Sequence, residues 1–593
     1  MKKPFSRPGK NVILAAAALL AALLLFSLVS CRSGTGDDGA KAGTENESAE
    51  IPVTEKEGVT VFENGAYTAG LFRTEQTTDM LNRYCATLRT ALAEITGVTP
   101  ELEEDFLRPD ETVPAEQREI LIGLTAHFDV EEASDRLGYT DFAVRVEENK
   151  VLLYGRTIAA DCAAVQYLID FLKENYPVGS QKIVIPAEIS TVAPIPESVR
   201  EYRGSTEGFQ ITYFWGPTAY KLDEEGVKAI ADAGITVMPI RVGADEQSDR
   251  IIRLIGKYGM KVSVIDNRTD FDASPDYTDD GIAQVLADYA DYDNIYEWWF
   301  RDEPQPDELL SLKNAVDGYK KLDPEAATRG CYINLFPDRK ATKGYYYENA
   351  LHLLGVHYIS FDRYTFFSGE ESGDAVPRNF HGDTEYFRNM GDVILVAEAN
   401  GTEAAMIVQL DRCYSPCDLS KEEIRWEFNT ALAYGFKTVS YFTWYRSWKN
   451  GDGTLSDTYY KASAVNAECR PIGDELYSKH PTGAYFIDSE HYNKDVRDYT
   501  PECSALGQID GDKLLIGLFD DGSAYLVDLY YNTADGETHT RTVSGVKEGL
   551  EYFDGAAGEW KDASECEAIT LTEDGYSITF EPSEGFLLRV SDQ

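Results

Sequence analysis

The sequence predicts a multidomain α/β protein with a central (β/α)8 TIM barrel, preceded by an α+β domain and followed by a β-sandwich. Three observations support this fold class. Apolar strands alternate with amphipathic helices eight times across residues 205–480. Residues 56–195 mix both patterns, whereas 500–593 contain short alternating strands separated by turns. No glycine-rich GxGxxG segment follows a strand, which disfavours a doubly wound open sheet.

Residues 1–31 predict a lipoprotein signal peptide. Basic residues precede an apolar run from Val12 to Val29, which leads into LVSC with Cys31. This order indicates a cleaved secretory signal, with an uncleaved membrane anchor as the alternative. LVSC resembles the bacterial lipobox, and this resemblance implies export, lipidation of Cys31 and attachment to the membrane at the cell surface. The polar residues 32–55 predict a flexible spacer.

Composition excludes several classes of function. The 55 Lys and Arg against 102 Asp and Glu give a formal net charge of −47, which repels nucleic acid. The cysteines form no cysteine-histidine cluster with zinc spacing, so we predict no metal and no cofactor. No Gly-x-Ser-x-Gly elbow is present to provide a serine nucleophile.

The first globular block, 56–195, predicts a small α+β domain. It contains a helical pattern in TEQTTDMLNRYCATLRTALAEITG, a strand REILIGLT, a hairpin FAVRVEENKVLLYGRT and a second helix AADCAAVQYLIDFLKENYP. This order resembles the accessory domain that precedes the barrel in family 20 glycoside hydrolases and bacterial α-glucuronidases. The block carries no catalytic motif, so the resemblance informs architecture only.

The second block, 205–480, predicts the barrel. Its length is close to the roughly 250 residues typical of such barrels. Several helical patterns end in a glycine that can form a left-handed cap. The eight predicted strands read FQITYFWGP, ITVMPIRVG, KVSVIDNRT, IYEWWFRDEP, TRGCYINLF, VHYISFDRYTF, DVILVAEAN and TVSYFTWYRS.

The third block, 500–593, predicts a β-sandwich. Its alternating strands include KLLIGLFDDGSAYLVDLYYN, EAITLTEDGYSITFEP and GFLLRVSD, with Asp-Gly turns between them. No candidate site is visible in this block.

Two strand ends of the predicted barrel carry candidate catalytic carboxyl groups. Asp302 and Glu303 end the fourth strand in EWWFRDEP, and Glu398 ends the predicted seventh strand in VAEAN. Barrel chemistry takes place at the carboxyl ends of the strands, and glycoside cleavage commonly needs an acid and a second carboxylate. These positions resemble the β-galactosidase-like clan of TIM-barrel retaining glycoside hydrolases. The resemblance implies that Glu303 is the acid/base, that Glu398 is the nucleophile, and that a carbohydrate is the substrate.

Two alternatives remain open at this point. The Asp302–Glu303 pair also resembles family 20 hexosaminidases, in which the aspartate orients the substrate's own acetamido group for attack. A surface lipoprotein that binds carbohydrate without cleaving it is the third possibility, because a binding protein does not need Glu398.

Other polar and aromatic side chains at strand ends are candidates for substrate binding. Trp215 follows strand one, and Trp444 and Tyr445 follow strand eight; each predicts either a sugar-stacking platform or packing. Asn334 follows strand five and Asp362 follows strand six, where each can bind a hydroxyl group or serve the structure.

The charge of Glu303 depends on its neighbour Arg301. Strand alternation directs both to one face unless the strand bulges before Glu303. A nearby cation favours the ionised carboxylate, whereas an acid must hold its proton. We therefore predict a raised pKa for Glu303 only if another acid engages Arg301, with Asp302 and Glu297 as candidates.

Overall fold

A computed structural model describes residues 58–591 of the 593-residue chain. It omits the segments 109–110, 201–207, 272–276, 324–329, 338–344, 357, 367–385, 412–418, 489–495 and 532–536. The predicted signal peptide with Cys31 and the spacer 32–55 lie outside the described residues. Within the described part, no helix has both the length and the apolar character needed to cross a membrane.

The N-terminal region pairs two sheets with two long helices. The sheets have the strand orders β2-β1-β8 and β4-β3-β5-β7-β6-β9. The predicted helix, strand, hairpin and second helix are α1, β5, β6–β7 and α3, and both long helices begin at a threonine cap. The elements are β1 (Val59–Glu63), β2 (Ala66–Tyr67), β3 (Gly70–Arg73), α1 (Asp79–Thr96), β4 (Glu103–Glu104), β5 (Glu119–Ile122), α2 (Glu131–Asp135), β6 (Asp141–Glu147), β7 (Lys150–Gly155), α3 (Ile158–Asn175), β8 (Lys182–Ile185) and β9 (Thr191–Pro194).

The central region confirms the predicted barrel. Eight parallel strands follow one another around a single sheet, and the backbone N–H of Thr236 donates to the carbonyl of Ile211, 2.8 Å away, between the first two strands. This contact brings the two edges of the sheet together. The strands are β10 (Gln210–Phe214), β11 (Val237–Arg241), β12 (Lys261–Ile265), β13 (Ile295–Asp302), β14 (Cys331–Leu335), β15 (Tyr358–Asp362), β16 (Glu403–Gln409) and β17 (Thr438–Phe442).

Helices follow the barrel strands in alternation. The helix α10 shows both predicted end signals: a capping box joins Ser420 and Glu423, and Gly435 ends the helix in the left-handed conformation. The helices are α4 (Glu224–Asp232), α5 (Glu246–Lys257), α6 (Asp279–Asp288), α7 (Leu309–Leu322), α8 (Tyr345–Leu354), α9 (Tyr386–Asn400), α10 (Lys421–Tyr434), α11 (Trp444–Ser447) and α12 (Asp457–Leu476).

The predicted seventh strand is wrong. The segment DVILVAEAN is the C-terminal part of helix α9, and the seventh strand is β16, which begins at Glu403. Residues Val393 to Asn400 are all buried, because α9 packs on the barrel core and also contributes Ala399 to the core of the N-terminal region. A helix that is buried on nearly every side has a continuous apolar run, which periodicity cannot distinguish from a buried strand.

The C-terminal region consists of two facing antiparallel-rich sheets, as the β-sandwich prediction requires. Their strand orders are β19-β18-β21-β22-β28-β24-β25 and β20-β23-β27-β26. The first of these strands, β18, begins at Pro481, before the predicted start at 500. The strands are β18 (Pro481–Ile487), β19 (Arg497–Asp498), β20 (Ile509–Asp510), β21 (Leu514–Phe519), β22 (Ala524–Asp528), β23 (His539–Val543), β24 (Leu550–Asp554), β25 (Glu559–Asp562), β26 (Ile569–Leu571), β27 (Tyr576–Phe580) and β28 (Gly585–Val590).

A buried carboxylate joins the N-terminal region to the barrel. Glu348 on α8 accepts the backbone N–H groups of Ile158 and Ala159, at 2.7 and 2.9 Å, and so caps helix α3 from another part of the chain. Asn400 at the end of α9 donates to the same carboxylate at 3.1 Å, and His352 contacts Asn400 at 2.8 Å. The first turn of α3 therefore depends on a barrel residue for its hydrogen bonds.

We expect Glu348→Ala to lower the free energy of unfolding by roughly 2–4 kcal/mol, because two buried N–H groups lose their acceptor. Chemical denaturation measures this loss. The control is Glu132→Ala, which removes an exposed glutamate paired with Arg136 and should change stability by less than about 0.5 kcal/mol. Equal effects of the two substitutions would contradict the capping role.

Candidate active site

Strand β13 directs its aromatic side chains to alternate sides of the barrel wall. Trp298 and Phe300 point outward and contact Tyr319 on helix α7, with ring centroids 6.0 and 5.0 Å apart. Trp299 points inward, where it contacts Phe214 of β10 at 4.9 Å. The run EWWF thus fills both the barrel interior and the layer between strand and helix.

A register slip interrupts this alternation just before the predicted acid. Trp299 lies opposite Tyr332 of β14, but Arg301 lies opposite Ile333 and Asp302 opposite Asn334. The extra residue is a β-bulge, which re-aims the side chains that follow it. Asp302 consequently shares the inward direction of Asn334, and Arg301 turns away from the barrel interior.

Arg301 forms an ion pair outside the barrel mouth. Its guanidinium donates to both carboxylate oxygens of Glu308, at 3.1 and 3.2 Å, and lies 5.6 Å from the ring centre of Phe271. The predicted condition for a raised pKa of Glu303 was that another acid engages Arg301. The β-bulge and the acid partner of Arg301 meet this condition. That partner is Glu308, whereas the sequence suggested Asp302 or Glu297.

Glu303 follows the bulge in a strained backbone conformation. Its φ of 45° lies in the left-handed region, which L-residues rarely adopt. Its N–H donates to the carbonyl of Asn334 at 2.8 Å, which fixes the turn. Trp215, at the carboxyl end of β10, also has a positive φ, 56°. Such strain at two positions of one barrel mouth is typical of a functional site.

The surroundings of the Glu303 carboxyl group favour its neutral form. Burial raises the pKa of Glu303 to about 8, the negative charges of Asp362 and Asp302 add to the rise, and Arg301 opposes it only weakly. Glu303 and Asp362 also share a side-chain hydrogen bond. Burial raises the pKa of Asp362 too, but hydrogen bonds from Asn334 and Tyr364 stabilise its ionised form. The shared proton therefore belongs mainly to Glu303.

Three of the predicted binding residues surround Glu303. Asn334 is buried and its amide nitrogen donates to Asp302 at 3.1 Å and to Asp362 at 2.8 Å. Adjacent strands β13, β14 and β15 thus bring one amide and three carboxyl groups together at their carboxyl ends. The arrangement offers one transferable proton beside two carboxylates.

The structure does not bring Glu398 to this site. Glu398 lies near the C-terminal end of α9, before strand β16 begins, and its carboxylate contacts His480 Nδ1 at 3.0 Å. A helix in a barrel ends near the amino end of the next strand, which is the face opposite Glu303. The nucleophile assignment depended on the wrong seventh strand and is therefore wrong as well.

The carboxylate that does follow strand seven is Asp411. Its Oδ2 accepts a hydrogen bond from Thr443 Oγ1 at 3.0 Å, at the carboxyl end of β17. Sequence reasoning missed Asp411 because the apolar run before Glu403 was interpreted as the seventh strand. The run EAAMIVQ, followed two residues later by Asp411, was the available signal.

The predicted aromatic platforms divide into exposed and buried residues. Trp215 is 57% exposed and Tyr445 is 49% exposed, and the N–H of Tyr445 donates to the carbonyl of Trp215 at 3.0 Å. Trp444 is fully buried and stacks on Tyr213 at 5.8 Å. Trp444 therefore packs in the core, whereas Trp215 and Tyr445 are partly exposed beside the mouth. The Lys221 ammonium lies 5.0 Å from the ring centre of Tyr445.

Sequence reasoning assigned no chemistry to Glu297, which lies buried inside the barrel. Burial raises the pKa of Glu297 to about 7, although the Tyr358 hydroxyl donates a hydrogen bond to it at 2.7 Å. Strand alternation directs it to the same side as Trp299. Among the described residues, no group of three or more His, Cys, Asp and Glu side chains could hold a metal ion.

Comparison with known proteins assigns the chain to no family. No family profile matches the sequence, and no curated protein matches it significantly. Solved structures that align with it include a glucosidase from Croceicoccus marinus, at 11% identity and TM-score 0.33, over 66% of this chain and 98% of that one. An α-L-fucosidase from Paenibacillus thiaminolyticus aligns at 11% and 0.32, over 62% and 86%. The catalytic domain of a Pyrococcus furiosus chitinase aligns at 10% and 0.31, over 46% and 98%.

We expect stability to report the protonation of Glu297. An unfolded glutamate ionises near 4.5, whereas the folded protein retains this proton to about 7, so wild-type stability falls as the pH rises across that window. Glu297→Gln removes the titration. The free energy of unfolding of the variant minus that of the wild type should therefore increase by about 3 kcal/mol from pH 4.5 to pH 8.

Denaturation at several pH values measures this difference. Tyr358→Phe is the matched control, because it removes a hydroxyl from the same contact and keeps the carboxyl group. It should retain the wild-type loss of stability with rising pH. A Glu297→Gln difference that stays constant between pH 4.5 and pH 8 would show that Glu297 is ionised in the fold.

Proposed function

We propose that this protein is a glycoside hydrolase in which Glu303 is the general acid. The observation that carries the proposal is the position of Glu303 at the mouth of the barrel, hydrogen-bonded to Asp362, where burial raises its pKa to about 8. Cleavage of a glycosidic bond requires a proton for the departing oxygen, and an acid with a pKa near the working pH supplies it best.

The neighbouring carboxylates support substrate-assisted attack. Retaining enzymes with a carboxylate nucleophile hold the two groups about 5–5.5 Å apart, and inverting enzymes leave about 6.5–9.5 Å for a water. Asp362 is hydrogen-bonded directly to Glu303, which is too close for either arrangement. With Glu398 absent from the site, the alternative with Asp302 and Glu303 is the better supported mechanism. It assigns the attack to a 2-acetamido group of the sugar.

The proposed reaction has two balanced steps. In the first, the acetamido oxygen forms a bond to the anomeric carbon while the glycosidic C–O bond breaks, and the leaving oxygen takes the proton of Glu303. Asp362 and Asp302 stabilise the positive charge of the cyclic intermediate. In the second, water attacks the anomeric carbon and gives its proton to Glu303, and the acetamido group is regenerated with retained configuration.

The exposed aromatic rings provide a stacking surface for the sugar. A pyranose ring has one apolar face that can stack on an exposed indole or phenol. Trp215 and Tyr445 offer such faces at the ends of strands one and eight, and Phe214 stacks on Trp215 with centroids 6.2 Å apart. Phe214 in turn contacts Trp299, so the platform and strand four share one aromatic cluster.

We expect Glu303→Gln to lower kcat by roughly 10²–10⁴ on glycosides with poor leaving groups, because the amide cannot donate the acid proton. On an activated aryl glycoside the loss should be much smaller, since that leaving group departs without a proton. Chromogenic and natural 2-acetamido glycosides, measured on the glycosylation step, supply the comparison. Equal losses on both substrates would take the acid role away from Glu303.

Three further results separate the competing functions. Glu398→Gln is the matched control and should retain activity, since its carboxylate contacts His480 on the opposite face. Loss of activity in Asp411→Asn together with cleavage of 2-hydroxy sugars would indicate a carboxylate nucleophile after strand seven instead. Binding of oligosaccharides without hydrolysis of any glycoside would indicate a carbohydrate-binding lipoprotein.

We also propose that the protein is exported and held at the membrane by lipid on Cys31. The lipobox-like LVSC and the polar spacer 32–55 support this location. Replacing Cys31 with Ser should release the folded protein from the membrane fraction, because the spacer separates the anchor from the globular part. Cell fractionation measures the change, and continued membrane retention of the variant would contradict the lipid anchor.

A further inference from the structure

Three carboxyl groups lie together at the barrel mouth, and a single amide donates to two of them. The two N–H bonds of Asn334 reach Asp302 at 3.1 Å and Asp362 at 2.8 Å, and Asp362 is hydrogen-bonded to Glu303. An amide nitrogen can only donate, so it favours the ionised form of each carboxylate it contacts. Glu303 receives no such donation from Asn334.

Two hydroxyl groups, those of Ser360 and Tyr332, fix the orientation of this amide. Ser360 Oγ donates to Asn334 Oδ1 at 3.1 Å, and Tyr332 Oη lies 3.1 Å from Ser360 Oγ. Because the serine proton is used on Asn334, the tyrosine hydroxyl must be the donor between these two groups. The chain of donors therefore runs from Tyr332 through Ser360 to Asn334 and on to the carboxylates.

We propose that Asn334 is the positioning residue that assigns the active-site proton to Glu303, and that Ser360 holds the amide in the orientation required. A flipped amide would direct its oxygen at two carboxylates and would force one of them to take up a proton. Asp362 is the group that would compete, since it already shares a hydrogen bond with Glu303. An amide, rather than a cation, thus selects the acid among three carboxyl groups.

The charged groups around Glu303 leave this choice to Asn334. From its own strand, Asp302 adds negative charge, and Arg301 weakly favours ionisation while paired with Glu308. From β15, Asp362 contacts Glu303, and Tyr364 donates a hydrogen bond to Asp362. From β14, Asn334 contacts both aspartates. Arg301 is the cation that acts on Glu303, and it faces Glu308.

This role differs from the hydroxyl-binding role predicted for Asn334. Its side chain is 1% exposed, and its amide atoms already contact Asp302, Asp362 and Ser360. No N–H remains for a sugar. The inference deepens the proposed function, on which its catalytic meaning rests, but the position of a proton can be measured in an inactive protein as well.

The test compares Ser360→Ala with the wild type, each with and without Glu303→Gln. In each background, the measured quantity is the change in the free energy of unfolding that Glu303→Gln causes. This change should vary with pH up to the pKa of Glu303 in the folded protein and become constant above it. The pH at which the variation stops therefore reports the titration of Glu303. We expect the variation to stop near pH 8 in the wild type. In Ser360→Ala it should stop about one pH unit lower, because the Asn334 amide loses the hydrogen bond that fixes its orientation. The alkaline limb of any hydrolytic activity, where the general acid loses its proton, should move with it.

One variant serves as the control, and another replaces Ser360→Ala if that protein does not fold. Ser263→Ala also removes a buried hydroxyl from the barrel interior, but Ser263 lies opposite Glu297 in the sheet, so the substitution should leave the Glu303 titration unchanged. If Ser360→Ala does not fold, Tyr332→Phe removes the previous donor and should shift the titration in the same direction by less. A titration that stays within about 0.3 pH units of the wild type in the folded variant would overturn the inference. A shifted titration in a protein that hydrolyses nothing would support it and refute the proposed function instead.

Discussion

The register slip in strand β13 is the constraint on which the barrel mouth depends. Without it, Arg301 would share the inward face with Trp299, and its guanidinium would meet the carboxyl groups directly. The slip directs Arg301 to Glu308 and turns Asp302 inward beside Asn334. Three carboxyl groups then lie within one hydrogen-bonded cluster whose cation is engaged elsewhere. Burial and mutual repulsion both raise the pKa of Glu303, as the proposed acid role requires.

The barrel interior and the barrel rim both shape the surroundings of Glu303, the proposed acid. Trp299, Phe214 and Tyr332 form an aromatic layer beneath the carboxyl groups. This layer limits access of water from below and lowers the local dielectric, so each charge at the rim has a larger effect on its neighbours. The donors that reach Asn334 cross the same layer through Tyr332 and Ser360. The aromatic packing and the position of the Glu303 proton therefore depend on the same residues.

The N-terminal region and the barrel form a continuous body through helix α9. Its C-terminal half is buried between two hydrophobic cores, and Asn400 at its end contacts Glu348, which caps helix α3. A helix in this position needs apolar residues around most of its circumference. The apolar run that this burial requires has the same pattern as a buried strand. For that reason Glu398, which lies within the run, was predicted to be a catalytic residue at a strand end.

Much of the architecture followed from the sequence. Seven of the eight barrel strands and the flanking domains were predicted correctly, and Asp302, Glu303, Asn334 and Asp362 lie at strand ends as expected, because periodicity and strand-end position are local properties. The sequence also identified the condition on Arg301, although Glu308 was not among the partners considered. Trp444 was left ambiguous between core and surface, since an aromatic residue after a strand suits either environment.

The sequence by itself determined which residue types stand at the carboxyl end of each recognised strand. Tertiary structure alone decided that DVILVAEAN is a helix, because that depends on its burial between two cores, and that Glu398 therefore lies away from Glu303. Tertiary structure also decided which carboxyl group holds the proton. That outcome depends on a one-residue slip against β14, on the acid that Arg301 meets and on the direction of one amide. Each of these is a contact between segments distant along the chain, and no local pattern encodes it.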